Sequence, residues 1–480
     1  VPLVLWLENQ VPHSASRASY LAANVMPPMP RTSTSGVWTN WSGALSCAPD
    51  HMCVAPDEAA ITDAIARAVA ANAGPVRVAG TGHSFTPIVT TDGTLITIDG
   101  HAGVVAIDAA TGQARVRAGT KICDLGAPLL QAGLALANQG DINRQSISGA
   151  VATGTHGTGA GLGSVSAQVC GVRLATASGA TIDATQDRNP DIYAAARVSL
   201  GMLGAVTELT LQCVPAYRLQ ETGGRMATAD VFAQMADLVS SNRHFEFFWF
   251  PFADEVLVKF LNLTQQPARP QRPAHGRGLE HYAMVTACEL SRVAPILRGP
   301  LQRFLTRNAG ARYMGQDMGQ DAPGQKAKIR EAYQAFPSDR DVRFNEMEYA
   351  VAAEDGPDCV QELAAHMRKH GGNFIFPIEY RTVKADDIWL SPFQGRDSVT
   401  ISIHQYAKQS YRKLFDGAEA IFRRYGGRPH WGKLHSLTAR ELAPLYPHWD
   451  DFQAMRRQLD PKGLFLTPYL ARLVGEPDGG

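Results

Sequence analysis

The chain contains no Cys-x-x-Cys pair, carries no net charge and has no apolar run long enough to cross a bilayer. Its seven cysteines, Cys47, Cys53, Cys123, Cys170, Cys213, Cys288 and Cys359, are scattered, which leaves out a zinc ribbon and a thioredoxin-type redox pair. Cys47 and Cys53 are close enough in sequence to bridge in an oxidising compartment, but such sparse usage fits reduced, buried thiols in a cytoplasm. Lys plus Arg and Asp plus Glu each number 45, so the basic excess that a nucleic-acid partner selects is missing. Gly-x-Ser-x-Gly, Walker and His-Glu-x-x-His signatures are absent. His430 and His435 stand five apart, a poor spacing for one helix face, with no matching carboxylate. They read as surface histidines, and no metal site is expected.

The dinucleotide fingerprint of a Rossmann unit also fails. Gly80-x-Gly82 meets Phe85 where its third glycine belongs, and Gly157-x-Gly159 meets Leu162. A nicotinamide cofactor bound in that way is therefore not expected.

What is present is a 480-residue chain, 45% hydrophobic and 19% charged, which suits a soluble globular protein of two or more domains. Val1 to Leu7 is apolar, but Glu8 interrupts it and no basic region precedes it, so it makes a poor signal peptide. Residues 1–36, rich in Pro, Ser and Ala, read as a disordered leader. Residues 37–216 read as one α+β domain. It has a helix opening at Pro56-Asp57-Glu58, strands at 76–79 and 95–98, a hairpin across Thr111-Gly112, a helix over 122–134, and strands near 169–175, 180–183 and 205–213. Residues 217–425 read as a second α+β domain. Phe245 to Phe252 is a buried strand, 264–279 a loop, 279–308 and 322–335 helical, and 342–351, 374–381 and 397–406 strands. A polar-aromatic segment, 426–480, closes the chain.

Two glycine tracts carry the first chemical signal. The β-branched run Val76-Arg77-Val78-Ala79 empties into Gly80-Thr81-Gly82-His83-Ser84-Phe85, and a second tract follows as Thr153-Gly154-Thr155-His156-Gly157-Thr158-Gly159. Glycines let the backbone turn with positive φ and bring its N–H groups against a ligand. Two such loops suggest a cradle for a large phosphate-bearing cofactor. Each presents a histidine, which is a ligand contact, a nucleophile, or only the partner of a backbone group in a tight turn. Further along, Glu379 and Arg381 are two apart on a predicted strand and share a face. Side by side they suit a polyhydroxyl substrate, or make a structural ion pair. His404 is a candidate proton acceptor. Glu346 and Glu348 lie on another predicted strand, and Glu348 is a candidate for the same pocket or for a place behind it.

The ordered set of blocks resembles the vanillyl-alcohol-oxidase (PCMH) type of FAD flavoproteins, in the sugar-1,4-lactone oxidase and alditol oxidase branch. The blocks are Gly80 to Phe85; Asn138-Gln139-Gly140-Asp141-Ile142; Gln145-Ser146-Ile147-Ser148-Gly149; Thr155 to Gly159; Ser199-Leu200-Gly201-Met202-Leu203-Gly204; Glu346-Met347-Glu348-Tyr349; Pro377-Ile378-Glu379-Tyr380-Arg381; and His430-Trp431-Gly432-Lys433. The likeness runs from about residue 38 to 472.

The resemblance implies a two-subdomain FAD-binding domain of the PCMH type, an α+β substrate cap, and a C-terminal segment that packs back on the FAD domain. It implies FAD, bonded covalently through His83 to the flavin 8α-methyl carbon and held by Gly80, Thr81, Gly82, Ser84, Phe85, Gly140, Asp141, Ser146, Gly149, Thr155, Gly157, Thr158 and Gly204. His156 is expected to pack or hydrogen-bond beside the pyrophosphate. Lys433 would supply positive charge to the electron-rich flavin. Glu379, Arg381 and His404 would place and deprotonate a sugar. The expected reaction is oxidation of a CH–OH group, of L-gulono-1,4-lactone or a related aldonolactone. An alditol such as xylitol or sorbitol is the alternative, and a flavin- or sugar-binding protein without turnover the remote one. Gly140 lacks the methyl group that, in the family, obstructs oxygen, so O2 is admitted as electron acceptor beside other acceptors.

Overall fold

A computed structural model describes residues 36–269, 279–312, 328–337 and 342–476. The leader reading for 1–36, apart from Gly36, and most of the loop reading for 264–279 therefore fall outside the described residues. In chain order the elements that position the site are β1 (His51–Val54), α1 (Glu58–Ala71), β2 (Val76–Ala79), β3 (Thr94–Thr97), β4 (Val104–Asp108), β5 (Gln113–Arg117), α2 (Ile122–Gln131), α3 (Ile147–Ala152), β6 (Val169–Ala175), β7 (Thr181–Ala184) and β8 (Ala205–Gln212). There follow β9 (Arg218–Ala227), β10 (His244–Trp249), β11 (Glu255–Thr264), α4 (Leu279–Val293), α5 (Arg298–Arg312), β12 (Lys328–Glu331), β13 (Phe344–Ala352), α6 (Gly356–His370), β14 (Ile378–Val383), β15 (Ser398–Tyr406), α7 (Arg412–Arg424), β16 (Arg428–Pro429), α8 (Trp449–Leu459) and α9 (Pro468–Val474).

The first half is α+β. A three-stranded parallel sheet, β1-β3-β2, is covered by α1, whose Asp57 N-cap accepts from the Ala60 N–H and whose Ile61, Ala64, Ile65 and Ala68 face the core. Beside it lies a five-stranded antiparallel sheet, β7-β6-β8-β5-β4. The second half is built on an eight-stranded antiparallel sheet in the order β12-β9-β11-β10-β14-β15-β13-β16.

Two helical readings need correction. The span 279–308 is broken at Pro295, where a proline without an N–H ends α4 and a short turn leads into α5. Within 322–335 the described part, 328–335, is half strand and half helix: Lys328–Glu331 pairs with Arg218–Glu221, and Ala332–Ala335 is helical. Strand pairing along the sheet edge outweighs local helix preference there. All seven cysteines are free thiols; Cys213, Cys288 and Cys359 are buried, while Cys47, Cys53, Cys123 and Cys170 are only half-buried.

Strand periodicity explains the polar wall of the second half. In β13, β14 and β15 one set of alternating residues, Met347, Tyr349, Ile378, Tyr380, Ile401 and Ile403, enters the main apolar core with Val360, Leu363, Leu414 and Phe422 of α6 and α7. The intervening set, Glu346, Glu348, Glu379, Arg381, Ser402 and His404, shares the opposite face. Register aligns Glu348 and Glu379 across Ser402, and Glu346 opposite His404. These polar side chains are buried too, so each charge needs a partner or a ligand.

The C-terminal segment runs back over the first half. Val76 N–H donates to the Leu464 carbonyl, Phe85 N–H to Gly432, and the Arg77 guanidinium to the Phe465, Leu200 and Gly201 carbonyls.

Candidate active site

Two open cavities adjoin, sharing His83, Ser84, Gln145 and Thr153. The second is made largely of backbone turns. Gly80, Thr81 and Gly82 follow β2, Ser146 and Gly149 open α3, and Leu200, Gly201 and Gly204 form the far wall. A Cβ on Gly80 would stand 1.9 Å from Ser146 Oγ, and Gly82 holds φ +68°, so both positions require glycine. This narrow, backbone-lined trough fits an extended nucleotide group.

The first cavity is lined by side chains: Trp41, Phe85, Asp141, His156, Phe344, Glu346, Glu348, Glu379, Arg381, His404, His430 and Lys433. Arg381 is its central cation. Nη1 is 3.3 Å from Asp141 Oδ1, and Nη2 is 3.5 Å from Glu348 Oε1 and 3.7 Å from Glu379 Oε2. Burial works against the charged guanidinium, but the three carboxylates prevail and hold its pKa above the usual arginine value. Lys433 Nζ is paired with Glu346 Oε2, whose other oxygen is 3.5 Å from His404 Nε2. Burial alone would raise the Glu346 carboxyl; Lys433 and His404 outweigh it and keep it low. Glu348 is likewise held well below its usual range, against burial, by His156 and Arg381.

His83 stands where the two cavities meet. Its Nδ1 is 3.0 Å from Thr81 Oγ1, and its ring stacks on Trp41 at 5.9 Å between centroids. Burial, followed by the Lys433 charge, lowers its pKa from 6.5 to about 4, so the imidazole is neutral at physiological pH.

Of the residues expected around the cofactor, Gly80, Thr81, Gly82, Ser146, Gly149 and Gly204 line the glycine-rich cavity. Phe85, Gly140, Asp141, Thr155 and His156 line the other, and His83 and Ser84 line both. Gly157 and Thr158 line neither. Thr158 Oγ1 donates to the Phe245 carbonyl and accepts from the Thr382 N–H, fastening its tract to the large sheet. His156 is in the cavity of Glu379 and Arg381, not the glycine-lined one. Its Nε2 is 2.5 Å from Glu348 Oε1 and its Nδ1 2.8 Å from the Gly157 carbonyl. Glu379, Arg381, His404 and Lys433 all come together.

The surface reading of His430 and His435 is overturned. His430 is 7% exposed and its ring centroid lies 5.9 Å from that of His156, because β16 adds the segment to the edge of the large sheet. Both ring nitrogens of His435 are buried. Trp41 and Phe344 carried no motif, and only the three-dimensional packing reveals them.

Burial lowers His430 and His244 from 6.5 to about 3. Both stay neutral in the fold while the unfolded chain takes up protons below pH 6.5, so stability falls as pH drops from 6.5 toward 3. Two protons amount to about 2.7 kcal/mol per pH unit. A urea midpoint well below its pH 7 value at pH 5 is expected; an unchanged midpoint contradicts neutral burial of these rings.

The comparisons with known proteins agree with this geometry. An FAD-binding domain profile matches residues 49–185, and the profile of the D-arabinono-1,4-lactone oxidase family matches residues 209–473, more than half of the chain. The chain belongs to the D-arabinono-1,4-lactone oxidase family. It is an FAD-dependent oxidoreductase, 39% identical to L-gulono-1,4-lactone dehydrogenase of Mycobacterium tuberculosis over 92% of this chain and 100% of the relative. It is 30% identical to L-gulonolactone oxidase of Bos taurus over 90% and 97%. Alditol oxidase of a Streptomyces species is 28% identical over 91% and 98%. The solved structure of cholesterol oxidase from B. sterolicum superposes with a TM-score of 0.78 at 15% identity, over 93% of this chain and 100% of that one, and so shares the PCMH-type fold.

Proposed function

We propose that the protein oxidises the C2 hydroxyl of an aldono-1,4-lactone, L-gulono-1,4-lactone foremost, to a ketone whose enediol tautomer is an ascorbate-type product. The observation that carries this reading is the set of six side chains, Glu346, Glu348, Glu379, Arg381, His404 and Lys433, around a cavity that reaches His83. The names of the relatives at 39% and 30% identity point to the same substrate class. FAD, when bound, supplies the two-electron acceptor for the hydride.

The chain's own residues supply placement and proton transfer. His83, neutral and at the junction of the cavities, would hold FAD covalently, its ring nitrogen acting as nucleophile. Lys433 would provide the compensating positive charge. Arg381 and Glu379 offer a donor fork and an acceptor on one face, which fixes neighbouring hydroxyls of a sugar ring. Arg381 Nε, buried and without a partner among the described residues, leaves a donor for substrate. His404 would take the hydroxyl proton, and Glu346 beside it would stabilise the resulting imidazolium. Metal plays no part in this reading. The carboxylates that could ligate one, Glu346, Glu348 and Glu379, already have Lys433 and Arg381 as counter-charges.

The site would open to O2 through Gly140. A methyl group there would meet the His156 carbonyl oxygen at 3.0 Å and Thr155 Cγ2 at 3.5 Å, filling the space beside the cavity. Gly140→Ala is expected to slow reoxidation in air by about tenfold or more while leaving reduction by substrate nearly unchanged, in stopped-flow traces of each half-reaction. Equal reoxidation rates would remove Gly140 from oxygen access.

Among the described residues no helix is long and apolar enough to cross a membrane; we place the protein in a bacterial cytoplasm. Alditol oxidation is the second reading, because the same cluster would serve a linear polyol and an alditol oxidase is among the relatives. Steady-state turnover on a panel of lactones and alditols tests both. Activity confined to alditols would overturn the lactone assignment.

A further inference from the structure

The hairpin of α4 and α5 has two unlike faces. Its inner face, with Met284, Ala287, Cys288, Leu301 and Leu305, packs into the cluster that holds Phe85 and Phe344 of the active-site wall. That face is pinned by Gln302, which bonds the Phe374 carbonyl and the Phe252 N–H, and by Asn373, which bonds the Ser291 carbonyl. The outer face is apolar where water should be. Of the ten exposed large hydrophobic residues among the described ones, six lie here: Tyr282, Leu290, Val293, Ile296, Leu297 and Phe304. Tyr282, Leu290 and Val293 recur at helical spacing on one stripe, and Ile296, 86% exposed, forms the tip.

Charge accompanies this ridge. Between Tyr282 and Asn308 there are four arginines, Arg292, Arg298, Arg303 and Arg307, against one acid, Glu289, in a chain of zero net charge. Glu289 is already held by Arg292, Lys408 and the Tyr406 hydroxyl. No carboxylate among the described residues pairs with Arg298, Arg303 or Arg307. Arg303 and Arg307 are one turn apart and exposed, on the helix that presents Phe304.

We propose that this face docks on an anionic lipid bilayer, with Val293, Ile296, Leu297 and Phe304 entering the headgroup–acyl boundary and Arg303 and Arg307 contacting acidic headgroups. An apolar ridge flanked by cations is the pattern of a helix lying in the interface plane, where apolar burial and headgroup attraction act together. A second copy of the chain fits less well, since a two-fold contact through the same patch would set arginines against arginines. Docking in this way brings the aromatic wall of the active site, one helix layer below, close to the membrane surface.

The test is flotation of the flavin-loaded protein with vesicles of mixed phosphatidylglycerol and phosphatidylcholine, against phosphatidylcholine alone, at low and high salt. Binding to the acidic vesicles is expected to exceed binding to neutral ones by about tenfold or more, and to weaken with salt. Arg303→Gln with Arg307→Gln should weaken it roughly 30-fold, at about fivefold per arginine. Ile296→Ser should weaken it on the order of tenfold. Flavin content and turnover should stay unchanged in all of these variants. Absent binding, equal binding to neutral vesicles, or binding indifferent to the substitutions overturns the proposal. So does a dimer in light scattering that Ile296→Ser dissolves, which would assign the ridge to a second copy.

Discussion

Replacing His83 by alanine is expected to release all flavin from acid-precipitated protein, whereas the parent chain keeps its flavin on the pellet and fluoresces in a denaturing gel. The expectation rests on three features. His83 is the one histidine that lines both cavities, so a group lying along them passes it. Its pKa of about 4 leaves the nucleophilic ring nitrogen unprotonated throughout the physiological range. Thr81 Oγ1 and the Trp41 ring hold it in one orientation. A further consequence concerns pH. An ordinary imidazole loses its nucleophile below 6.5, but this one should support flavin attachment to apoprotein at an even rate down to about pH 5, falling only toward 4. Flavin that washes out of the parent chain would show that His83 only contacts the cofactor.

The second large effect belongs to Arg381. Arg381→Lys keeps the charge, yet a single ammonium cannot stand within reach of Asp141, Glu348 and Glu379 at once, as the guanidinium does from its two terminal nitrogens. The carboxylates that lose its contacts lie in a cavity wall where Glu348 is 1% and Glu379 2% exposed. Breaking a buried charge pair in this way costs about 3–5 kcal/mol. A loss of the same size in transition-state binding would lower kcat/KM on the order of a thousandfold. Rapid-mixing reduction at saturating lactone separates the two parts. A fall in the limiting rate marks an orienting role, and a rise in the dissociation constant alone marks simple binding. Turnover within a few-fold of the parent would mean that Arg381 serves the fold and not the substrate.

How far the sequence announced this site depends on what each part needed. The glycine turn after Val76–Ala79 was legible because a β-branched run and two close glycines dictate both strand and turn. Glu379 and Arg381 were legible as neighbours because the strand period of two places them on one face wherever the strand lies. The pairing of Glu348 with His156 was not legible. It joins residues 192 apart in sequence and depends on the Thr153–Gly159 tract being fastened against β14. His430 was misplaced for a similar reason. Five-residue spacing says nothing once the segment is an edge strand, and burial came from Tyr349 and Ala350 pairing with Arg428 and Pro429. The same edge logic turned 328–331 into strand, since its partner residues 218–221 were invisible to a local reading. Local pattern thus gave the loops and faces, while the polar network came from long-range register.

Anaerobic mixing of the flavin-loaded protein with L-gulono-1,4-lactone is the direct test of lactone oxidation. Flavin absorbance should bleach fully, with a rate that saturates in lactone, and xylitol and sorbitol should bleach it far more slowly. Flavin that stays oxidised with every lactone, or that alditols alone reduce, would contradict lactone oxidation.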